Sequence, residues 1–581
     1  MTRVAPVWIL AMPLLAVLMV GTAIAMGAES DPNSALIRQL RRPVALVMAG
    51  ESVLVANRHS GTISVIDPTS AHVVAEHSVA TRIAHMVGIP AQPALLVLDD
   101  ADERLLRVTL SGGRVAVDAI ANVPAGGAKL SVAAQRRQVF VTAKWSHCVL
   151  ALTFDEDFEH VTQSESIGLP FAPQELLLLN QDRTLVVADA FGGQLAVVDA
   201  AQAKLLDVRR LNGHNIRGLA VSTDGKQLYV AHQQMTSLAR ADYEELHWGR
   251  MLANAVQVFD VQDVLACDAS PLAPGWLDVH GDIGSATADP VGVITAADGT
   301  VAVALSGVGE VAIRRGGYAK RIRVGRRPEA LAVDQDRLYV ANRFDDTISI
   351  IDLHRGELVE TVSLGPVPEL TAAERGERLF FDARLSHDGW LSCHSCHTDG
   401  HSSGLVVDTL GDGDYGAPKR VPSLLGTRDT GPWGWNGSVA TLDAQVRKSV
   451  KTTMHGEPLT DRRASDLVAY LESLQTPSSP FRGKRDLISR GKALFESRGC
   501  VECHTGPTLT SAGTFNVGLT DQRDRKLFNP PSLRAISQRG RFFHDARTDR
   551  LADVLVRDRH QLDEALSETE SAALLSYLRS L

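Results

Sequence analysis

A long-range internal repeat restricts the fold of this chain more than any other feature. Val55-Ala56-Asn57-Arg58, followed by Thr62-Ile63-Ser64-Val65-Ile66-Asp67, returns 285 residues later as Val340-Ala341-Asn342-Arg343 and Thr347-Ile348-Ser349-Ile350-Ile351-Asp352. Pro43 and Pro328 keep the same offset. Weaker copies centre on Leu95-Leu96-Val97-Leu98, Val139-Phe140-Val141, Leu185-Val186-Val187-Ala188-Asp189, Leu228-Tyr229-Val230-Ala231 and Val301-Ala302-Val303-Ala304, which makes seven units. Gly, Asp, Asn and Pro turns separate the β-rich runs, at intervals suited to four-stranded sheets. Each unit alternates apolar and polar positions, and none can bury its own faces alone, so the units must stack. The expectation over residues 36–365 is an all-β seven-bladed propeller. It should close on itself, because the first and last units match most closely and become neighbours only in a ring.

One unit is interrupted between Tyr229-Val230-Ala231 and Val256-Gln257-Val258-Phe259 by an insertion carrying Arg240, Glu244, Glu245, His247 and Trp248. A loop placed by a rigid scaffold is a favoured contact site. The repeated words resemble the YVTN-type propeller repeats over residues 40–365, a resemblance that implies architecture rather than activity.

From residue 366 the apolar period becomes helical and a second duplication begins. Arg375-Gly376 with Leu379-Phe380 matches Arg490-Gly491 with Leu494-Phe495; Pro422-Ser423-Leu424 matches Pro531-Ser532-Leu533; Tyr470-Leu471 matches Tyr577-Leu578. The stretch Thr476-Pro477-Ser478-Ser479-Pro480 reads as a linker. Two small all-α domains are expected, at 366–475 and 484–581.

Between the first two words of each copy and the third lies a Cys-x-x-Cys-His pentapeptide: Cys393-His394-Ser395-Cys396-His397 and Cys500-Val501-Glu502-Cys503-His504. Two cysteines three apart lie on one side of a helical turn and can form thioethers with two porphyrin vinyl groups, while the next imidazole turns in toward iron. A random chain of this composition would hold such a word roughly 0.002 times. A four-cysteine zinc site or two redox disulfides would use the same cysteines but leave both histidines unexplained. The reading is therefore two covalently bound haem c groups, with His397 and His504 as proximal ligands.

The second axial position decides between electron transfer and reaction with a small oxidant. Met454, the only methionine after Met251, stands 57 residues beyond His397 and is the distal candidate for the first haem. His401 should stay on the proximal side. The second copy has no methionine, so His560, 56 residues past His504, is the leading candidate there and His544 the alternative. His544 holds the place relative to Pro531 that Trp435 holds relative to Pro422.

The tandem motifs, with Gly431-Pro432-Trp433-Gly434-Trp435-Asn436-Gly437 in one copy and Phe542-Phe543-His544-Asp545 in the other, resemble the bacterial di-haem cytochrome c peroxidases and their MauG-type relatives over about 366–581. The resemblance implies one haem that reacts with hydrogen peroxide, a second that passes electrons, and a tryptophan between them, Trp433 or Trp435. It also requires an acid/base group beside an open iron, for which His455 and Glu457 are weak candidates. Lys419 and Arg420 are expected to pair with haem propionates.

The chain has 581 residues and a net charge of −9 with both signs interspersed, which excludes the basic stripe that tracks a phosphate backbone. Met1-Thr2-Arg3, an apolar run Val4–Ala28 and the small-x-small word Ala23-Ile24-Ala25 read as an export signal at 1–28. An uncleaved membrane anchor is the alternative, weakened by Pro6 and Pro13. The protein is thus expected in the periplasm or otherwise exported, with a redox partner protein as electron donor or acceptor. Besides peroxide reduction, two other functions fit: a pure electron carrier with both irons closed, or a propeller dehydrogenase that feeds its own haems.

Overall fold

The computed structural model describes residues 38–581, apart from 112–113, 238, 268–271 and 273–274; the expected export signal lies outside the described residues. Each repeat word occupies the middle of a four-stranded antiparallel sheet, and seven such sheets form a propeller. The first blade uses strands Pro43–Ala49, Ser52–Asn57, Thr62–Asp67 and His72–Ser78, and the seventh uses Pro328–Asp334, Arg337–Asn342, Thr347–Asp352 and Glu357–Ser363. The weaker words are the second strands of the blades between them, from Ala94–Asp99 to Val301–Leu305.

The wording of the repeat has a hydrogen-bond reason. Asn57 Nδ2 donates to Thr62 Oγ1 (3.0 Å) and Ser64 Oγ (2.8 Å), and Asn342 Nδ2 donates to Thr347 Oγ1 (3.0 Å) and Ser349 Oγ (2.9 Å). A buried amide thus ties the second strand of a blade to the third, each bond contributing about 1 kcal/mol net. The ring closes between blades 1 and 7. Val53, Val55 and Ile66 pack with Tyr339, Ile348, Ile350 and Leu364, and the Asp346 carboxylate accepts from the backbone N–H of Arg41 (2.9 Å) and Arg42 (2.7 Å).

Beyond the propeller, Ala372–Phe380 crosses Asp461–Ser473, and Arg485–Ser497 crosses Glu568–Ser580. The duplicated Arg-Gly word lies at these crossings. A Cβ on Gly376 would meet the carbonyl oxygen of Asp466 at 1.9 Å, and one on Gly491 that of Ala573 at 2.0 Å. Only glycine lets the two backbones approach so closely. Phe380 meets Tyr470 at 5.2 Å and Phe495 meets Tyr577 at 5.3 Å between ring centroids, so each matched pair closes one crossing. Two small helical units follow the propeller, therefore, built on one plan.

The first helical unit sits on the end of the propeller where the second strands finish. Lys144 and Arg217 hold Asp399 at 3.0 and 2.8 Å, Asp289 accepts from Ser395 Oγ at 2.7 Å, and His214 Nε2 donates to the Ser395 carbonyl at 2.9 Å. The first Cys-x-x-Cys-His segment thus rests on side chains of blades 3, 5 and 6. Among the described residues no helix is long and apolar enough to cross a membrane.

Candidate functional site

Ser392 stands at the N-cap of the short helix Cys393–Cys396, and its backbone N–H donates to Ser395 Oγ at 3.0 Å. This turn brings both thiols and the His397 imidazole to the wall of a cavity of about 330 Å³. Phe380, Leu391, Leu424, Leu442, Val446 and Leu467 supply much of its apolar lining. Burial pushes both thiols up to about 12. Burial also pulls His397 down to about 4, leaving a neutral imidazole. His397 Nδ1 donates to the Pro422 carbonyl at 2.9 Å, which fixes the tautomer and leaves Nε2 as a ligand atom.

The second motif repeats this arrangement. His504, also pulled down to about 4 by burial, donates Nδ1–H toward the Leu509 carbonyl (3.2 Å), with the Pro531 carbonyl as a further acceptor. The matched words Pro422-Ser423-Leu424 and Pro531-Ser532-Leu533 therefore serve a common purpose, orienting the histidine of each motif. Cys500 packs against the cluster of Phe495, Leu533, Phe542, Leu555 and Leu574, and burial raises both Cys500 and Cys503.

Met454, also in the lining of the first cavity, is buried and follows a π-turn, Ser449–Thr453. Such a turn re-aims the side chains around it and recurs at functional sites. Met454 lines the cavity together with Gln445, Thr452 and Thr453, polar neighbours that reading the sequence missed. The expected acid/base candidates do not lie there. His455 has a positive φ of 48° and turns its Nε2–H to the Ala241 carbonyl (2.9 Å) of the propeller insertion, and Glu457 is exposed. His401 is held at both ring nitrogens, by Ser423 Oγ (2.9 Å) and the Gln538 carbonyl (3.1 Å).

The two expected cations have different fates. Lys419 lines the cavity, but its ammonium already bridges Asp412 and Asp521, each at 3.0 Å. That replaces the expected propionate partner with two carboxylates. Arg420 has no carboxylate partner among the described residues, and neither has Arg539, which lines the same cavity. Burial lowers both guanidiniums, Arg420 to about 9 and Arg539 to about 10, and Arg539 further opposes the charge on Arg420. Two guanidiniums lining one cavity without a carboxylate partner suit an anion, and haem propionates fit that need. Arg539 escaped notice because it lies in the second copy yet lines the first cavity.

The seam between the helical units is aromatic. Trp435 Nε1 donates to the Arg420 carbonyl (2.8 Å) and lies under the Arg420 guanidinium (5.2 Å), while Trp433 Nε1 is held by Thr427 Oγ1 (3.1 Å). His544 stacks on Phe528 (4.3 Å) beside Trp435 (6.4 Å), is 2 % exposed, and has no hydrogen-bond partner on either ring nitrogen. His560 packs against Phe543 (5.5 Å) and lies near enough to His504 for their charges to oppose one another.

Residues 371–482 match the family model described as di-haem cytochrome c peroxidase. Over 302 residues the chain is 23 % identical to the cytochrome c551 peroxidase of Nitrosomonas europaea, covering 40 % of this chain and 90 % of that protein. The cytochrome c551 peroxidase of Pseudomonas aeruginosa is 26 % identical over 272 residues, 36 % of this chain and 78 % of its own length. The methylamine utilization protein MauG of Methylorubrum extorquens is 27 % identical over 234 residues, 31 % of this chain and 66 % of its own.

Proposed function

We propose, from the premise that the region after the propeller carries a di-haem cytochrome c peroxidase domain, that this protein is an exported di-haem redox protein. It takes electrons from a partner protein and reduces hydrogen peroxide, and its place is the periplasm. Haem c is bound twice, at Cys393/Cys396/His397 and Cys500/Cys503/His504. The observation that carries the reading is the duplicated histidine: in each copy an imidazole follows a cysteine pair and gives its Nδ1–H to a backbone carbonyl.

When bound, the two haems supply the two electrons that, with two protons, convert hydrogen peroxide to two waters. The chain does the rest. Cys393 and Cys396 fix one porphyrin, Cys500 and Cys503 the other, and the neutral His397 and His504 present Nε2 as ligands. Arg420 and Arg539 neutralise propionates. His544, buried with both nitrogens unpartnered, would line the second site, and His560 would hold the second haem together with His504. Trp435 spans the seam between the units.

Met454 supports a second reading. Its buried thioether lines the first cavity and would hold the first haem as a second ligand, leaving a pure electron carrier. Electron paramagnetic resonance of the oxidised and half-reduced protein, with and without hydrogen peroxide, separates the two. The peroxidase reading expects a haem signal that changes on adding peroxide to the half-reduced form. Two low-spin signals in the oxidised form and one in the half-reduced form, all indifferent to peroxide, sink it in favour of the carrier. Within the propeller, the dehydrogenase alternative gains no support at the mouth nearest the first haem motif, which Ser392 and Ser395 occupy against Asp289.

A further inference from the structure

The insertion in blade 5 reaches the first helical unit and meets it through histidines. Asp242 caps the helix Tyr243–His247 by accepting the Glu245 backbone N–H (2.9 Å), so Tyr243 and His247, four apart, share one face. Opposite them stand His387 and Asp388, just before the first haem motif. His247 Nδ1 lies 3.0 Å from His387 Nε2; Asp388 Oδ2 lies 3.9 Å from the first and 3.6 Å from the second.

The two imidazoles lie within hydrogen-bond range of each other, whereas the Asp388 carboxylate lies beyond it from both and is not satisfied by either. They do converge. Ligand atoms about 2.0–2.1 Å from a tetrahedral ion are about 3.3 Å apart, and all three separations lie near that edge. Two imidazoles and one carboxylate make a donor set suited to borderline divalent cations and leave a fourth position for water. The set is also braced. The Gly284 backbone N–H donates to Asp388 Oδ2 (3.1 Å), Tyr243 lies parallel to His247 (5.6 Å between centroids) and tilted against His387 (4.9 Å).

We propose that His247, His387 and Asp388 form a binding site for a divalent first-row transition-metal ion of the zinc class, closing the seam between propeller and first haem unit. No haem-motif residue takes part. The site would nevertheless be tied to the first cavity, because the His387 backbone N–H donates to the Met454 carbonyl at 2.8 Å. An ion there clips the insertion to the segment that carries Met454.

The test uses untagged full-length holoprotein, stripped with chelator and dialysed to equilibrium against micromolar Zn²⁺. Metal analysis is expected to find one zinc per chain in addition to the haem iron. His247→Ala, on a short surface helix, and Asp388→Asn are each expected to lose that equivalent while haem content and the Soret band stay unchanged. Zinc is also expected to raise the melting temperature of wild type and not of His247→Ala. Failure of wild type to take up zinc overturns the proposal and leaves a hydrogen-bonded imidazole pair. Zinc uptake that persists undiminished in both variants overturns it equally, as binding elsewhere on the surface. Neither result bears on whether the haems react with peroxide.

Discussion

Met454 is the residue whose substitution separates the two proposed readings. It is buried, it lines the first cavity, and the π-turn before it sets its direction. Ligation by its sulfur would make the first haem low-spin and raise its potential relative to a bis-histidine site. Met454→Ala is then expected to convert one of the two haems from low-spin to high-spin, read by electron paramagnetic resonance, and to raise peroxide turnover. A variant spectrum identical to wild type would remove Met454 from the iron. Cavity formation at a buried methionine should also cost about 2–5 kcal/mol, measurable by denaturant unfolding.

Among elements, the two helix crossings offer a matched pair. Gly376 and Gly491 stand where a methyl group would overlap a carbonyl oxygen of the partner helix, at 1.9 and 2.0 Å. Neither backbone can move away without opening the Phe380–Tyr470 or Phe495–Tyr577 contact. Gly376→Ala and Gly491→Ala are each expected to destabilise their own unit by about 1–3 kcal/mol, the usual cost of overpacking. The losses should add in the double variant, because the two crossings belong to different helix pairs. Calorimetry that finds either variant as stable as wild type would contradict the close approach.

For the whole molecule, the docking of propeller on haem unit carries a pH dependence. His214 is fully buried between them, donates to the Ser395 carbonyl, and is held down at about 4 by burial. The unfolded or undocked chain binds this proton first. Its contribution is therefore complete above the ordinary histidine range and is lost as pH falls from about 6.5 toward 4. The linkage amounts to about 3 kcal/mol at the acid end. His214→Gln, which retains a donor, is expected to flatten the fall in stability between those pH values, followed by thermal unfolding. An unchanged acid limb would mean that His214 gains solvent without undocking.

Features set by local sterics and spacing were determined by the sequence itself. The Asn-x-x-x-x-Thr-x-Ser word of the first and last blades needs only neighbouring strands to make its amide bonds, and the weaker strand words spaced between its two copies bring the number of blades to seven. The two Cys-x-x-Cys-His words carry their own turn, and the Arg-Gly words their own helix crossing. The tertiary structure decided whatever depends on distant segments meeting. Lys419 is held by Asp521 in the other helical unit, Arg539 reaches the cavity of the opposite copy, and His455 faces Ala241 of the propeller rather than the haem cavity. His247 and His387, 140 positions apart, share no motif, and only the packing of the insertion on the haem unit brings their nitrogens together. Short-range patterns record what a chain does to itself within a few residues; the charge and ligand balance of a buried seam belongs to the pairs that folding puts side by side.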